Sequence, residues 1–136
     1  MNAVNITIGN IYNNTRHYAK AVTYFTKAKD YYQTKKEYNH KRGYVLTLYC
    51  LGKTYWQLKD IDKLSATIKE SEQAIQLLKL KHQQLENAYL EYAKGGLAFL
   101  KKNNVAANEH FTNALNVIKQ NGDFTNEHVI YLYLGK

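Results

Sequence analysis

Ile8-Gly9-Asn10-Ile11-Tyr12, Leu51-Gly52-Lys53-Thr54-Tyr55 and Gly95-Gly96-Leu97-Ala98-Phe99 are the stretches that decide the fold. Gly9, Gly52 and Gly95 follow one another at a spacing of 43 residues. The same shift carries Ala21 to Leu64 to Ala107, Phe25 to Ile68 to Phe111, Ala28 to Ser71 to Ala114, and Tyr32 to Ile75 to Ile118. Position after position keeps its size and polarity class, so the chain is an internal repeat in three copies, and a period in this range belongs to stacked repeat architectures.

Within each copy the apolar residues recur at helical spacing. Ala21, Phe25, Ala28 and Tyr32 sit at i, i+4, i+7 and i+11, one stripe of an amphipathic helix, and Leu64, Ile68, Ser71 and Ile75 form its second copy. Polar, turn-forming segments separate the stripes: Asn13-Asn14-Thr15-Arg16-His17, Lys59-Asp60-Ile61-Asp62, Lys102-Asn103-Asn104 and Gln120-Asn121-Gly122-Asp123. The pattern predicts seven helices, at about 3–14, 18–35, 40–58, 62–80, 83–102, 105–120 and 125–136. There is no proline anywhere in the 136 residues, which removes the commonest helix breaker.

These residues resemble the tetratricopeptide repeat family, whose signature runs Leu-Gly-x-x-Tyr on a first helix and Ala-x-x-x-Phe on a second. Repeat one reads Ile8-Gly9-x-x-Tyr12 and then Ala21-x-x-x-Phe25-x-x-Ala28. Repeat two has Leu51-Gly52-x-x-Tyr55, followed by the degenerate Leu64, Ile68 and Ser71. Repeat three has Ala107-x-x-x-Phe111-x-x-Ala114, preceded by Gly95-Gly96 with Phe99 one residue out of frame, a shift that predicts a shorter turn near Asn103. The resemblance implies an all-α, right-handed solenoid of antiparallel helix hairpins: three repeats at about 2–38, 39–81 and 82–122, and the first helix of a fourth at 123–136. Glycine and alanine then lie where two helices cross closely, with tyrosine or phenylalanine filling the gap beside them. The period exceeds the usual length of about 34 by about nine residues, or roughly two and a half helical turns, so the helices should be long. Such long repeats resemble those attached to bacterial signalling and regulatory proteins. Tyr133-Leu134-Gly135-Lys136 restarts the motif of Leu51-Gly52-Lys53, and Ile8-Gly9 has little chain before it, so the chain is expected to be a piece of a longer protein forming a single repeat domain over 1–136.

Composition narrows the function. The lone Cys50 excludes an internal disulfide and a cysteine zinc site, and fits a reducing, cytoplasmic setting. No run approaches the ~20 apolar residues of a membrane span. The net charge of +8 invites a nucleic-acid reading. However, the 19 basic residues include only two arginines, Arg16 and Arg42, and the lysines are spread along every segment among Asp and Glu, which describes a solvated basic surface. His17, His40, His82, His110 and His128 are scattered, with no pair at i, i+3 or i, i+4 beside a carboxylate ligand. Asp60-x-Asp62 is helix-capping chemistry without the other ligands of a calcium loop. No phosphate loop or nucleophile elbow occurs, and neither an enzyme nor a cofactor is indicated.

What remains is binding. If the signature residues Gly9, Tyr12, Ala21, Phe25, Ala28, Gly52, Tyr55, Ala107, Phe111 and Ala114 pack the hairpins, the residues about a third of a turn around each first helix line the concave side. That stripe is Ile6, Asn10 and Asn13, then Tyr49, Lys53 and Trp56, then Tyr92, Gly96 and Phe99, with Tyr133 and Lys136 extending it. Aromatic rings interleaved with asparagine and lysine suit a peptide: the amide bonds a backbone in both directions and the rings supply area at low entropy cost. Inter-repeat packing would explain the same rings. Chaperone-binding members of the family clamp a C-terminal carboxylate with lysine and asparagine; only Asn10 keeps that pattern, while Ile6, Cys50 and Tyr92 stand where polar residues belong. The expected function is therefore a protein- or peptide-binding module, the sensing or scaffolding part of a regulatory protein. Self-association through array ends such as Tyr131, Leu132 and Leu134 is the alternative, and specific nucleic-acid binding the least favoured.

Overall fold

A computed structural model describes residues 2–120 and, among them, six helices and no strand: α1 Asn2–Asn14, α2 Tyr18–Gln33, α3 Tyr38–Gln57, α4 Ile61–Ile75, α5 Leu80–Leu100 and α6 Asn104–Gln120. The predicted seventh helix, with Tyr131, Leu132, Tyr133, Leu134 and Lys136, lies outside the described residues. Consecutive helices pack as hairpins, α1 with α2, α3 with α4 and α5 with α6, and α2 and α4 each pack on the helix that follows. The product is a helical-repeat solenoid.

Three-residue connections close all three hairpins in the same way. Arg16, Lys59 and Lys102 take positive φ angles of 65°, 58° and 62°, again 43 residues apart. The Lys59 amide donates to the Trp56 carbonyl and the Asp60 amide to Tyr55, and the pairs Arg16 to Asn13, His17 to Tyr12, Lys102 to Phe99 and Asn103 to Ala98 repeat that geometry. This is a left-handed helix termination in which the last carbonyls are satisfied. The turn near Asn103 is thus no shorter than the others, and the expectation that it would be is corrected. Past each turn, Asp60 accepts from the Lys63 amide at 3.1 Å and Asn103 from the Ala106 amide at 3.1 Å, capping α4 and α6.

Two hydrophobic clusters follow the hairpins. Ile6, Ala21, Phe25 and Ala28 join Cys50 and Leu51 of α3 in the first. Val45, Leu48, Trp56, Leu64, Ala107 and Phe111 belong to the larger second one, which spans α3 to α6. The added length of the repeat lies at the N-terminal ends of α3 and α5, which begin at Tyr38 and Leu80, well ahead of Gly52 and Gly95. Only the α4–α5 boundary departs appreciably from expectation. α4 ends at Ile75 rather than near 80, because Lys79 adopts an extended conformation (φ −63°, ψ 147°) and Leu78 is buried while Leu77 points outward.

Candidate peptide-binding face

The first helices of the hairpins line one side of the array. α1 touches α3 and α3 touches α5 directly, whereas α2 and α4 approach one another chiefly through side chains such as Lys29 and Glu70. The closer approach of the first helices groups α1, α3 and α5 into one layer, the inner face.

At the crossing inside each hairpin, Gly9 and Gly95 behave alike. A Cβ on either would stand 2.6 Å from the ring of Phe25 or Phe111. Gly95 therefore holds the strict register of Gly9. Gly96 serves the next seam instead, where its missing Cβ makes room for Trp56 of the preceding repeat, 2.6 Å from where that atom would be. At Gly52 the nearest atoms, on Ala93 and Leu64, lie 3.8 Å from its would-be Cβ. Ala21, Phe25, Ala28, Ala107, Phe111 and Ala114 are all buried, with Tyr12 and Tyr55 half-buried beside them.

The aromatic stripe divides. Tyr49, Trp56 and Tyr92 are only 8%, 4% and 3% exposed. Trp56 stacks on Phe111 at 5.6 Å and meets Tyr92 edge-on at 5.2 Å, and Tyr49 stacks on Tyr89 at 4.4 Å. These rings fill the seam between repeats two and three, so most of their surface is packing and not open groove wall. The accessible part of the face is more polar. Asn10 is half-buried, and Asn13 is tied across repeats by the Thr54 hydroxyl, 3.1 Å from its Oδ1. Lys53 holds its ammonium 4.8 Å above the Tyr49 ring centroid. Phe99 and Leu46 remain 37% and 40% exposed. Leu46 is a residue that the sequence reading passed over; its place one turn before Tyr49, 43 residues ahead of Tyr89, was the available signal.

Cys50, buried beneath this face, has its thiol pushed up to about 11 by desolvation, against a smaller opposing pull from Lys53, so it is no thiolate nucleophile near neutral pH. His110 pairs with Glu91, away from His17 and His40, and no cluster of His, Cys, Asp or Glu able to hold a metal ion occurs among the described residues. No described helix is long and apolar enough to cross a membrane.

The fold is that of a helical-repeat solenoid. Residues 3–35, the first hairpin, match the tetratricopeptide repeat family. The same glycine–phenylalanine crossing recurs outside the matched residues, at Gly95 and Phe111. No curated protein and no solved structure matches the chain. Repeats of this family are generally protein-interaction modules.

Proposed function

We propose that this chain binds a peptide or an extended protein segment along the inner face of α1, α3 and α5, as the sensing or scaffolding part of a bacterial regulatory protein in a reducing compartment. The observation that carries the reading is the combination left accessible there. The Asn10 and Asn13 amides can bond a ligand backbone, the pinned Lys53 ammonium offers one fixed cation, and Leu46 and Phe99 offer exposed apolar surface. Tyr49, Trp56 and Tyr92 support this surface from beneath and set its shape.

Selection of displayed peptides against the purified chain tests the reading. Binders should lose affinity with Lys53→Ala and with Phe99→Ala while the melting temperature stays close to that of the parent chain. Binders indifferent to both substitutions would refute the assignment.

A second reading has its own observation. Val4 and Ile11 are 49% and 57% exposed and, with the half-buried Ile8 between them, form an apolar stripe along α1. That stripe suits stacking of one array on another. Light scattering over a hundredfold concentration range should then show mass rising in the parent chain and a constant monomer in Val4→Lys/Ile11→Lys.

A further inference from the structure

The extended N-terminal end of α3 creates a feature on the other side of the array. Between α2, the start of α3 and the end of α4 lies a cleft of about 520 Å³. That size falls within the range of about 300–1,000 Å³ typical of ligand sites. One wall is the Tyr32 ring, which packs on α3 because Gly43 has no side chain: a Cβ there would meet the ring at 2.8 Å. The opposite wall carries Glu70, which is already answered from inside the cleft, with Lys29 Nζ 3.0 Å from its Oε2 and the Tyr44 hydroxyl donating to the same oxygen at 3.0 Å. Lys35 and Lys41 border the cleft in addition to Lys29, so its lining holds three lysines against one glutamate. Leu77, at the mouth, is 64% exposed.

The geometry points to this cleft as a second docking site, for an acidic peptide segment that sets carboxylates against Lys35 and Lys41 and a bulky apolar side chain against Tyr32 and Leu77. Charge complementarity selects the occupant. With Lys29 and the Tyr44 hydroxyl engaged by Glu70, the remaining positive charge belongs to Lys35 and Lys41. Gln33 and Gln73, also in the lining, provide amides that can donate to and accept from a peptide backbone. A phosphodiester strand fits less well, because the Glu70 carboxylate stands in the wall, the lining is largely apolar and it contains no arginine to grip phosphate in bidentate fashion. The site is separate from the inner face and does not depend on what binds there.

The test is fluorescence polarisation on the full chain with a labelled decapeptide alternating glutamate with leucine and tyrosine. The same peptide with glutamine for glutamate and a labelled ten-nucleotide oligodeoxythymidine are measured in parallel, all at 150 mM salt. The glutamate peptide should bind best. Lys35→Glu and Lys41→Glu together should weaken it by about tenfold or more, the range expected when two cations facing carboxylates are reversed. Lys53→Glu on the inner face should leave it unchanged. Amide shift mapping on the unsubstituted chain guards against a variant that fails to fold: the peptide should move resonances at 29–44 and 70–77. No binding at millimolar peptide, shifts confined to α1 and α5, indifference to the paired reversal, or equal binding of the oligonucleotide would each overturn the assignment. Loss of binding with Lys53→Glu alone would transfer the peptide to the inner face.

Discussion

Gly9, Gly52 and Gly95 occupy one repeat position but meet different neighbours, and substitution should separate them. At Gly95 an added methyl has to displace the fully buried Phe111 ring, 2.6 Å away. Overpacking of this kind costs about 1–3 kcal/mol. At Gly52 the nearest atoms are 3.8 Å from the new methyl, an ordinary contact, and alanine gains up to about 1 kcal/mol of helix propensity over glycine. Gly52→Ala should therefore raise the urea midpoint and Gly95→Ala lower it, even though the sequence presents the two as equivalent. Glu86 makes a second prediction. It stands 43 residues after Gly43, buried among Val45, Ile68, Ser71 and Ile75, and desolvation pushes its carboxyl up to about 7, Arg42 pulling weakly the other way. The folded pKa lies above the unfolded one, so the folded chain binds the extra proton. The associated stability is fully present below about pH 4.5 and is lost as pH rises through about 7. The loss by pH 8 is of the order of 3 kcal/mol at most. Glu86→Gln should flatten that decline and be the more stable protein at pH 8; parallel urea titrations at pH 5 and pH 8 that show the same difference between the two proteins would exclude the role.

Each helix pair ends on the same device, and the sequence hides it. The left-handed residue after α1, α3 and α5 is Arg16, Lys59 or Lys102, where glycine is usual. A basic side chain there is compatible with the negative end of the helix dipole, which partly offsets the backbone cost. With no glycine to mark the turn, only the 43-residue spacing betrays it, and the Gly96–Phe99 pair pointed to a frame shift that does not exist. The helices themselves were legible because Ala21, Phe25, Ala28 and their repeats recur at helical spacing. The α4–α5 boundary was not, since Leu77, Leu78 and Leu80 continue an apolar run with neither glycine nor proline to interrupt it. The aromatic stripe was legible as a set and not as a role: a residue a third of a turn from the signature position faces both the groove and the next first helix. Which of the two it meets depends on how closely the helices approach, and Gly96 lets α5 come close enough to cover Trp56. Trp56→Ala should then act as a core truncation and cost about 3–5 kcal/mol. If the denaturation midpoint of this variant matched that of the parent chain, the indole could not be holding repeats two and three together.

Across the whole molecule the packing is uneven, and this has consequences for how it opens. The larger cluster runs from α3 to α6, while the first hairpin has its own smaller cluster, tied to α3 through Cys50, Leu51 and the half-buried Tyr55 that touches both. Beyond those contacts, repeat one is held to repeat two by α2 packing on α3, where the Tyr32 ring covers Gly43, by the Asn13–Thr54 hydrogen bond and by the part-buried Lys29–Glu70 pair. An exposed pair of that kind contributes up to about 1 kcal/mol, and burial adds modestly. In a solenoid, stability is close to a sum of repeat and neighbour-interface terms, so the first hairpin, with its smaller cluster and one neighbour, opens before the second, which has two. α3 is flanked on both sides and contributes Val45, Leu48, Leu51 and Trp56 to the two clusters. Native-state hydrogen exchange should accordingly show the slowest amides at 45–56 in α3 and faster exchange through sub-global opening in α1 and α2. Glu70→Gln, which removes the charge that Lys29 and Tyr44 share, should speed α1 and α2 further while leaving α5 unchanged. Uniform protection from α1 to α5, falling together in denaturant, would mean that the repeats unfold as one cooperative unit and that the two clusters are energetically continuous.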